Sequence, residues 1–458
     1  MSRPLVLISA VGLTGRLLPM APRLSALAGK GWVRPMIEPL PAVTCTAQAT
    51  ILTGKPPSAH GIVGNGWFFQ DTGEVRFWQQ SHALIQVPTL PAILRSARPD
   101  LRLANMFWWF NQGGPYDLAV TPKPFYGADG SKAFAIDGSP RSLPVDLERA
   151  LGPFPFPSFW GPKAGLPSTD WISRASARVL EKERPDLLLV YLPHLDYQPQ
   201  RAGPSGCDMR ALVAELDSAC APLMDAIAAT GAATWVVGEY GHCDAGHPVF
   251  INRALRAGGW LEARDGPYGE TLDTFASKAF AVCDHQIAHV RVKDPVMVPK
   301  VASFVAGLDG VAEVLWGADR IRAGLDHPRS GEVIAFSTPG AWFAYPYWND
   351  DARAPDFART VDIHRKPGYD PCELFVDPKI PFPMLKVARK LLARKLGFRA
   401  LIDVIPLDAS LVKGSHGLRA GTDADRPVLI GEGPEPACGP VDAASVLDLL
   451  LPHWGLSR

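Results

Sequence analysis

The run Leu5–Ala10 is apolar apart from Ser9 and stops at Gly12, which predicts a strand buried on both faces with a loop at its C-terminal end. Leu24, Leu27 and Ala28 share one face of a short helix predicted over 22–30. Another helix is predicted over 46–52, with Thr44 placed to cap it. Between 171 and 184, Ile172, Ala175, Val179 and Leu180 fall on one helical stripe that Pro185 ends. The apolar run 187–192 follows as a strand, then 209–229 as one long helix closed by Gly231, then 234–238 as the next buried strand. Strand, helix, strand at these lengths is a βαβ unit. It predicts an α/β core, a mostly parallel sheet with helices on both faces. Ligands in such sheets sit at the C-terminal strand ends. Here those ends carry Gly12, the triplet His194-Leu195-Asp196 and the run Glu239-Tyr240-Gly241-His242.

The remaining pattern divides the chain. The core is expected over 1–285, interrupted by a Pro-, Gly- and aromatic-rich stretch, 116–167, that predicts a long loop insertion. A strand over 288–292, a helix over 296–308 and a strand over 311–315 predict a small inserted α/β cap at 286–345. Residues 346–458 are expected to return to the core through 362–377, a basic helix over 385–396 and a polar loop, Lys413 to Gly417.

Composition then removes functional classes. At 458 residues and 47% hydrophobic the chain is no disordered tail. Equal counts of basic and acidic residues, 46 each, argue against coating of nucleic acid by a general basic surface. Seven Cys without a Cys-x-x-Cys pair predict free thiols in a reducing compartment. No stretch reaches about 18 apolar residues, so no membrane span is expected. The short apolar run at the N-terminus, with no small-residue cleavage site after it, predicts no signal peptide and hence a cytoplasmic protein.

Candidate chemistry begins at Thr44. A hydroxyl at a helix N-terminus can act as a nucleophile because backbone N–H groups there stabilise an attacked phosphate, although such a Thr more often only caps. The run from Thr44 to Thr53-Gly54, then His60-Gly-Ile-Val-Gly-Asn65, resembles the nucleotide pyrophosphatase/phosphodiesterase (type I phosphodiesterase) family of the alkaline phosphatase superfamily. Residues 5–13, 191–204, 236–241 and 414–417 resemble further segments of that family, in the same order. The resemblance implies a hydrolase of phosphodiester, pyrophosphate or phosphonate bonds, with Thr44 as nucleophile and one or two divalent metals, usually zinc, clamping the reacting oxygens. It implies metal ligation by Asp196, Glu239 and His416. The family's first-strand Asp falls at Val11, one His at Gln200 and another at Tyr240.

Other residues offer replacements. Asp284 with His285, and Asp362 with His364, each join a carboxylate to an imidazole, the pairing that orients a metal-bound His. His289 lies close by. His194 would share a face with Asp196 in an extended segment, and His242, Asp244 and His247 follow Glu239 in a loop. Asn65, Asn111, Tyr240 and Lys366 are candidates to contact a small phosphorylated substrate, for instance a nucleotide. The aromatic runs 67–69 and 106–110 suit either base stacking or core packing. Lys386, Arg389, Lys390, Arg394 and Lys395 give the 385–396 helix a basic character, suited to solvent or to a membrane surface. Two alternatives to hydrolysis follow from the altered ligand positions: a degenerate member that binds a phosphorylated ligand or acts as a scaffold, or a rewired phosphoryl-transfer enzyme. Oligomeric state has no signature in the sequence.

Overall fold

In the computed structural model, residues 3–127 and 131–457 are described. The scaffold is a nine-stranded sheet. Its order is Val441–Asp442, Trp32–Ile37, Val428–Gly431, Ala233–Val237, Leu5–Ala10, Leu187–Leu192, Leu103–Met106, Leu118–Pro122 and Ile136–Ser139. The five strands from Ala233–Val237 to Leu118–Pro122 are mutually parallel, and antiparallel strands flank them on both sides. Leu5–Ala10 and Leu187–Leu192 are fully buried, which explains their apolar runs: helices cover both faces of the sheet, so no side chain alternates to water.

The elements differ from the sequence pattern in instructive places. The helix expected over 209–229 is two, Met209–Ala219 and Ala221–Thr230, because Pro222 at the start of the second lacks the N–H that continuity needs. The 116–167 stretch is not a loop. It supplies the strands Leu118–Pro122 and Ile136–Ser139 of the main sheet and a helix, Ser142–Leu151; its residues 128–130 lie outside the described residues. Both strands are short and set among Pro and Gly, and Ile136–Ser139 lies at the sheet edge, which is why their pattern was weak. A separate antiparallel sheet orders Ala279–Asp284, Ile287–Val292, Val333–Ser337 and Val311–Trp316, with the helix Val298–Ala306 beside it. The strand, helix and strand expected between 288 and 315 are all part of this unit. The basic helix runs Pro383–Lys395.

Two imidazoles are buried far from water. Burial pushes His60 down to about 3 and His289 down to about 4. Both stay neutral when folded, while the unfolded chain binds protons near pH 6.5. Their stabilisation is therefore complete above about pH 6.5 and is lost as pH falls towards their folded values. The urea midpoint should drop between pH 7 and pH 4.5, and His60→Gln should remove about 2 kcal/mol of that drop. An unchanged pH slope in His60→Gln would contradict a buried neutral His60.

Candidate active site

Three strands end side by side. Register pairs Ala10 with Leu192 and Ser9 with Val237, so the loops after these strands share one space. After Leu187–Leu192 the chain enters the helix His194–Ala202, which sets Asp196 in its first turn, at the positive end of the helix dipole. After Ala233–Val237, Glu239 sits at φ +64° and Tyr240 and His242 follow. The short strand Gly414–Ser415 delivers His416. The helix Thr44–Thr53 is buried along its whole length and begins at Thr44.

Asp196 is the meeting point. Its Oδ1 accepts the Tyr240 hydroxyl at 3.1 Å, lies 3.1 Å from His242 Nε2 and 3.7 Å from His416 Nε2. Tyr240 Oη is also 2.9 Å from Thr44 Oγ1. A phenol has one proton, and Tyr240 gives it to Asp196. Thr44 must therefore donate to Tyr240. His416 Nδ1 lies 2.8 Å from the Ala42 carbonyl, which can only accept, so Nδ1 carries the proton and Nε2 keeps its lone pair. Burial, with His285 and His242 close by, holds the His416 pKa well below the ordinary imidazole value. Four rings lie in a row beside these atoms: Tyr369 stacks on His285 at 3.6 Å, His285 meets His416 at 3.8 Å with the planes tilted by 38°, and His416 stacks on Tyr240 at 3.8 Å. Backbone strain gathers here too, since His285 adopts φ +60° and Glu239 φ +64°. Gly12 permits the approach of His242, whose ring carbon would lie 3.2 Å from any added Cβ.

The other expected site residues fall into distinct roles. Glu239 is buried; its Oε1 accepts from Ser9 and, at 2.8 Å, from Gln48, and burial pushes its pKa up to about 8. Asp284 accepts from the Asn65 backbone at 2.7 Å, the Asn65 amide at 3.1 Å and His285 Nδ1 at 2.7 Å. An added Cβ at Gly64 would come within 2.9 Å of that carboxylate. Asn65 spends its own carbonyl on the Cys45 N–H at 3.0 Å. It thus takes the capping role expected of Thr44, which is instead the first helical residue. Both ends of the Asn65 amide are engaged in structure rather than turned to substrate. Lys366 does not line the cavity. Burial would lower its pKa, but Asp370 at 2.7 Å and Glu373 at 2.8 Å hold it raised. Asp362 pairs with Lys132 at 3.2 Å, and His364 Nδ1 binds the Phe77 carbonyl at 3.2 Å on the cavity wall.

His194 lies in a helix rather than an extended segment, so its ring turns away from Asp196 and meets Glu215 at 3.0 Å. Asp244 binds Ser205, His247 pairs with Asp309, and His289 bonds the Val63 carbonyl. Asn111 donates to the Asn105 and Val120 carbonyls. Trp67 and Phe110 pack in one buried cluster, and Phe107 and Trp108 pack in the main core. His242 stood in the sequence only as one of a loop cluster. Its signal was its place two residues after Tyr240.

Among the described residues, the one grouping of metal-ligating side chains is Asp196, His242 and His416, whose donor atoms lie within 4.8 Å of one another. A carboxylate and two imidazoles, with the exchangeable side open to a cavity, suit a single divalent ion. A second metal would find few donors: Val11 offers none, the Tyr240 hydroxyl is committed to Asp196, and of Glu239 only Oε2, buried and without a hydrogen-bond partner, remains beside Thr44. Gln200 is likewise engaged, by the Tyr369 hydroxyl and the Asp196 carbonyl. The site opens into a cavity of about 440 Å³ whose wall is largely aromatic and aliphatic, including Trp78, Trp109, Phe159, Trp160 and Ile363.

The same α/β architecture recurs in solved structures. Phosphonoacetate hydrolase from Sinorhizobium meliloti, in complex with phosphonoformate, superposes with a TM-score of 0.61 at 16% identity, over 97% of this chain and 94% of that one. Murine ectonucleotide pyrophosphatase/phosphodiesterase 5, an inactive threonine-to-alanine variant in complex with AMP, gives 0.59 at 12% identity, over 100% and 96%. The fold is thus the α/β fold of these phosphonate and nucleotide hydrolases. Within it, residues 5–370 match the type I phosphodiesterase / nucleotide pyrophosphatase family, and the chain belongs to that family of hydrolases. An uncharacterized pyrophosphatase/phosphodiesterase of Schizosaccharomyces pombe is 26% identical over 212 residues, 45% of this chain. The chain spans about a third, 36%, of the length of that relative.

Asn65→Ala should lower stability by about 2–3 kcal/mol, because it strips the Cys45 N–H of its acceptor and the buried Asp284 of one of its donors, the Asn65 side-chain amide, while the backbone N–H bond remains. Urea denaturation measures this. An unchanged midpoint would contradict the capping role.

Proposed function

We propose that the protein hydrolyses a phosphodiester, pyrophosphate or phosphonate bond of a small phosphorylated substrate, with Thr44 as nucleophile. The observation that carries this reading is the directed chain Thr44–Tyr240–Asp196 beside two imidazoles at the buried end of a cavity. The chain points the Thr44 proton at Tyr240 and leaves an oxygen lone pair free for phosphorus. As the Thr44 oxygen bonds to phosphorus, the bond from phosphorus to the leaving group breaks and the leaving group takes a proton from solvent, while the Thr44 proton passes to Tyr240 and Tyr240 passes its own to Asp196. Water then cleaves the phosphothreonine ester and restores the hydroxyl. The helix dipole at Thr44 stabilises the added negative charge.

Asp196, His242 and His416 would hold one divalent metal, zinc by their donor chemistry. When bound, it would supply positive charge to a phosphoryl oxygen and lower the pKa of attacking water. The tautomer fixed by Ala42 keeps His416 ready for that role. All seven Cys are free thiols, which supports a reducing cytoplasm as the working compartment.

A second reading, a phosphate-binding member without turnover, draws support from Val11, Gln200 and Tyr240 at the positions where the resemblance expects metal ligands. Turnover separates the two. Metal-supplemented protein should hydrolyse bis(p-nitrophenyl) phosphate or a dinucleotide. Thr44→Ala should lower kcat at least ~10³-fold and Tyr240→Phe ~10²-fold. Oxygen from labelled water should enter the phosphate product. Inertness towards a broad phosphoester panel, or full activity in Thr44→Ala, would overturn the nucleophile assignment.

A further inference from the structure

The helix Pro383–Lys395 is amphipathic in an unusual sense: its apolar stripe faces out. Met384, Leu385, Leu391 and Leu392 are between 53% and 70% exposed. Their spacing, with Ala388 between them, sets them on one helical face. Phe382 before the helix and Leu396 and Phe398 after it are exposed to a similar degree. Single exposed apolar side chains need no explanation, but a contiguous patch of this kind marks an interaction surface.

Charge says what covers it. Between residues 378 and 402 there are seven Lys or Arg and no Asp or Glu. Lys386 and Lys390 turn inward to Asp403, and Arg399 pairs with Asp356. Arg389, at the margin of the apolar stripe, and Lys395, at its C-terminal end, have no ion-pair partner among the described residues. A face of large aliphatic residues bordered by unpaired cations fits an anionic bilayer, which offers hydrocarbon and negative headgroups at adjacent depths.

Position adds a third argument. Pro383, Met384 and Val387 line the cavity, so the helix forms part of its rim. Tyr126 and Phe134, from a separate segment of the chain, line the same cavity and are 50% and 58% exposed. The mouth is therefore edged by exposed apolar side chains from two directions.

We propose that the helix Pro383–Lys395, with Phe382 and Phe398 at its ends, docks the protein on an anionic membrane surface, with the cavity mouth at the lipid–water boundary. No helix of the described residues is long and apolar enough to cross a membrane, and the docking is peripheral. It does not depend on the chemistry assigned to Thr44.

Full-length protein sedimented with vesicles of phosphatidylcholine alone, and with vesicles of phosphatidylcholine and 30% phosphatidylglycerol, tests the docking directly. Binding to the anionic vesicles should exceed binding to the neutral ones at least ~10-fold and weaken in 0.5 M salt. Arg389→Gln with Lys395→Gln should weaken anionic binding ~25-fold, about five-fold per cation. Leu385→Ser with Leu392→Ser should also release the protein. Circular dichroism and thermal melting should show both variants folded, since all four side chains face solvent. Equal binding to the two vesicle types, no binding at all, or variants that bind like the parent would overturn the proposal. So would a concentration-dependent dimer that these substitutions abolish, because a second copy would then be the occupant.

Discussion

The buried carboxylate of Asp196 is the constraint around which the site is organised. A charge in such a place must be met by donors. Tyr240 and His242 meet it directly, and His416 stands just beyond. Because Tyr240 has only one proton to give, satisfying Asp196 also fixes the direction of the bond from Thr44. The geometry of the reactive hydroxyl is thus a consequence of how a buried anion is neutralised. The sheet makes this convergence available, since three adjacent parallel strands deliver Gly12, Asp196 and Tyr240 to one end.

The altered ligand positions are compensated rather than vacant. Tyr240 stands where the resemblance expects a histidine, and its ring completes the stack of Tyr369, His285, His416 and Tyr240. Gln200, at another such position, is tied to Tyr369 and to the Asp196 backbone. Glu239 is held by Ser9 and Gln48 in a strained loop. Glu239 Oε2 alone of these groups is left buried without a partner, and the single cluster of Asp196, His242 and His416 gives the rebuilt interior the character of a site adapted to one metal.

How much of this was legible in the sequence depends on the range of the interaction. Buried parallel strands announced themselves because both of their faces meet helices, so Leu5–Ala10 and Leu187–Leu192 read as apolar runs. The short strand Leu118–Pro122 and the edge strand Ile136–Ser139 did not, since short strands among Pro and Gly carry little periodicity. At the site, Thr44, Asp196 and His416 stood out through the family-like segments. The partnership of His242 with Asp196 did not, because it joins residues 46 positions apart through a loop whose path no local pattern sets. Lys366 and Asn65 illustrate the reverse: polar residues in suggestive runs that the fold consumes internally, one in a buried ion pair and the other in a helix cap.

The account rests on a single-metal site with Thr44 beside it. Elemental analysis of the purified protein after equilibration with zinc tests that most directly. One tightly held ion per chain, lost in His242→Ala, is the expected result. Two ions per chain, or one ion retained unchanged without the His242 imidazole, would contradict it.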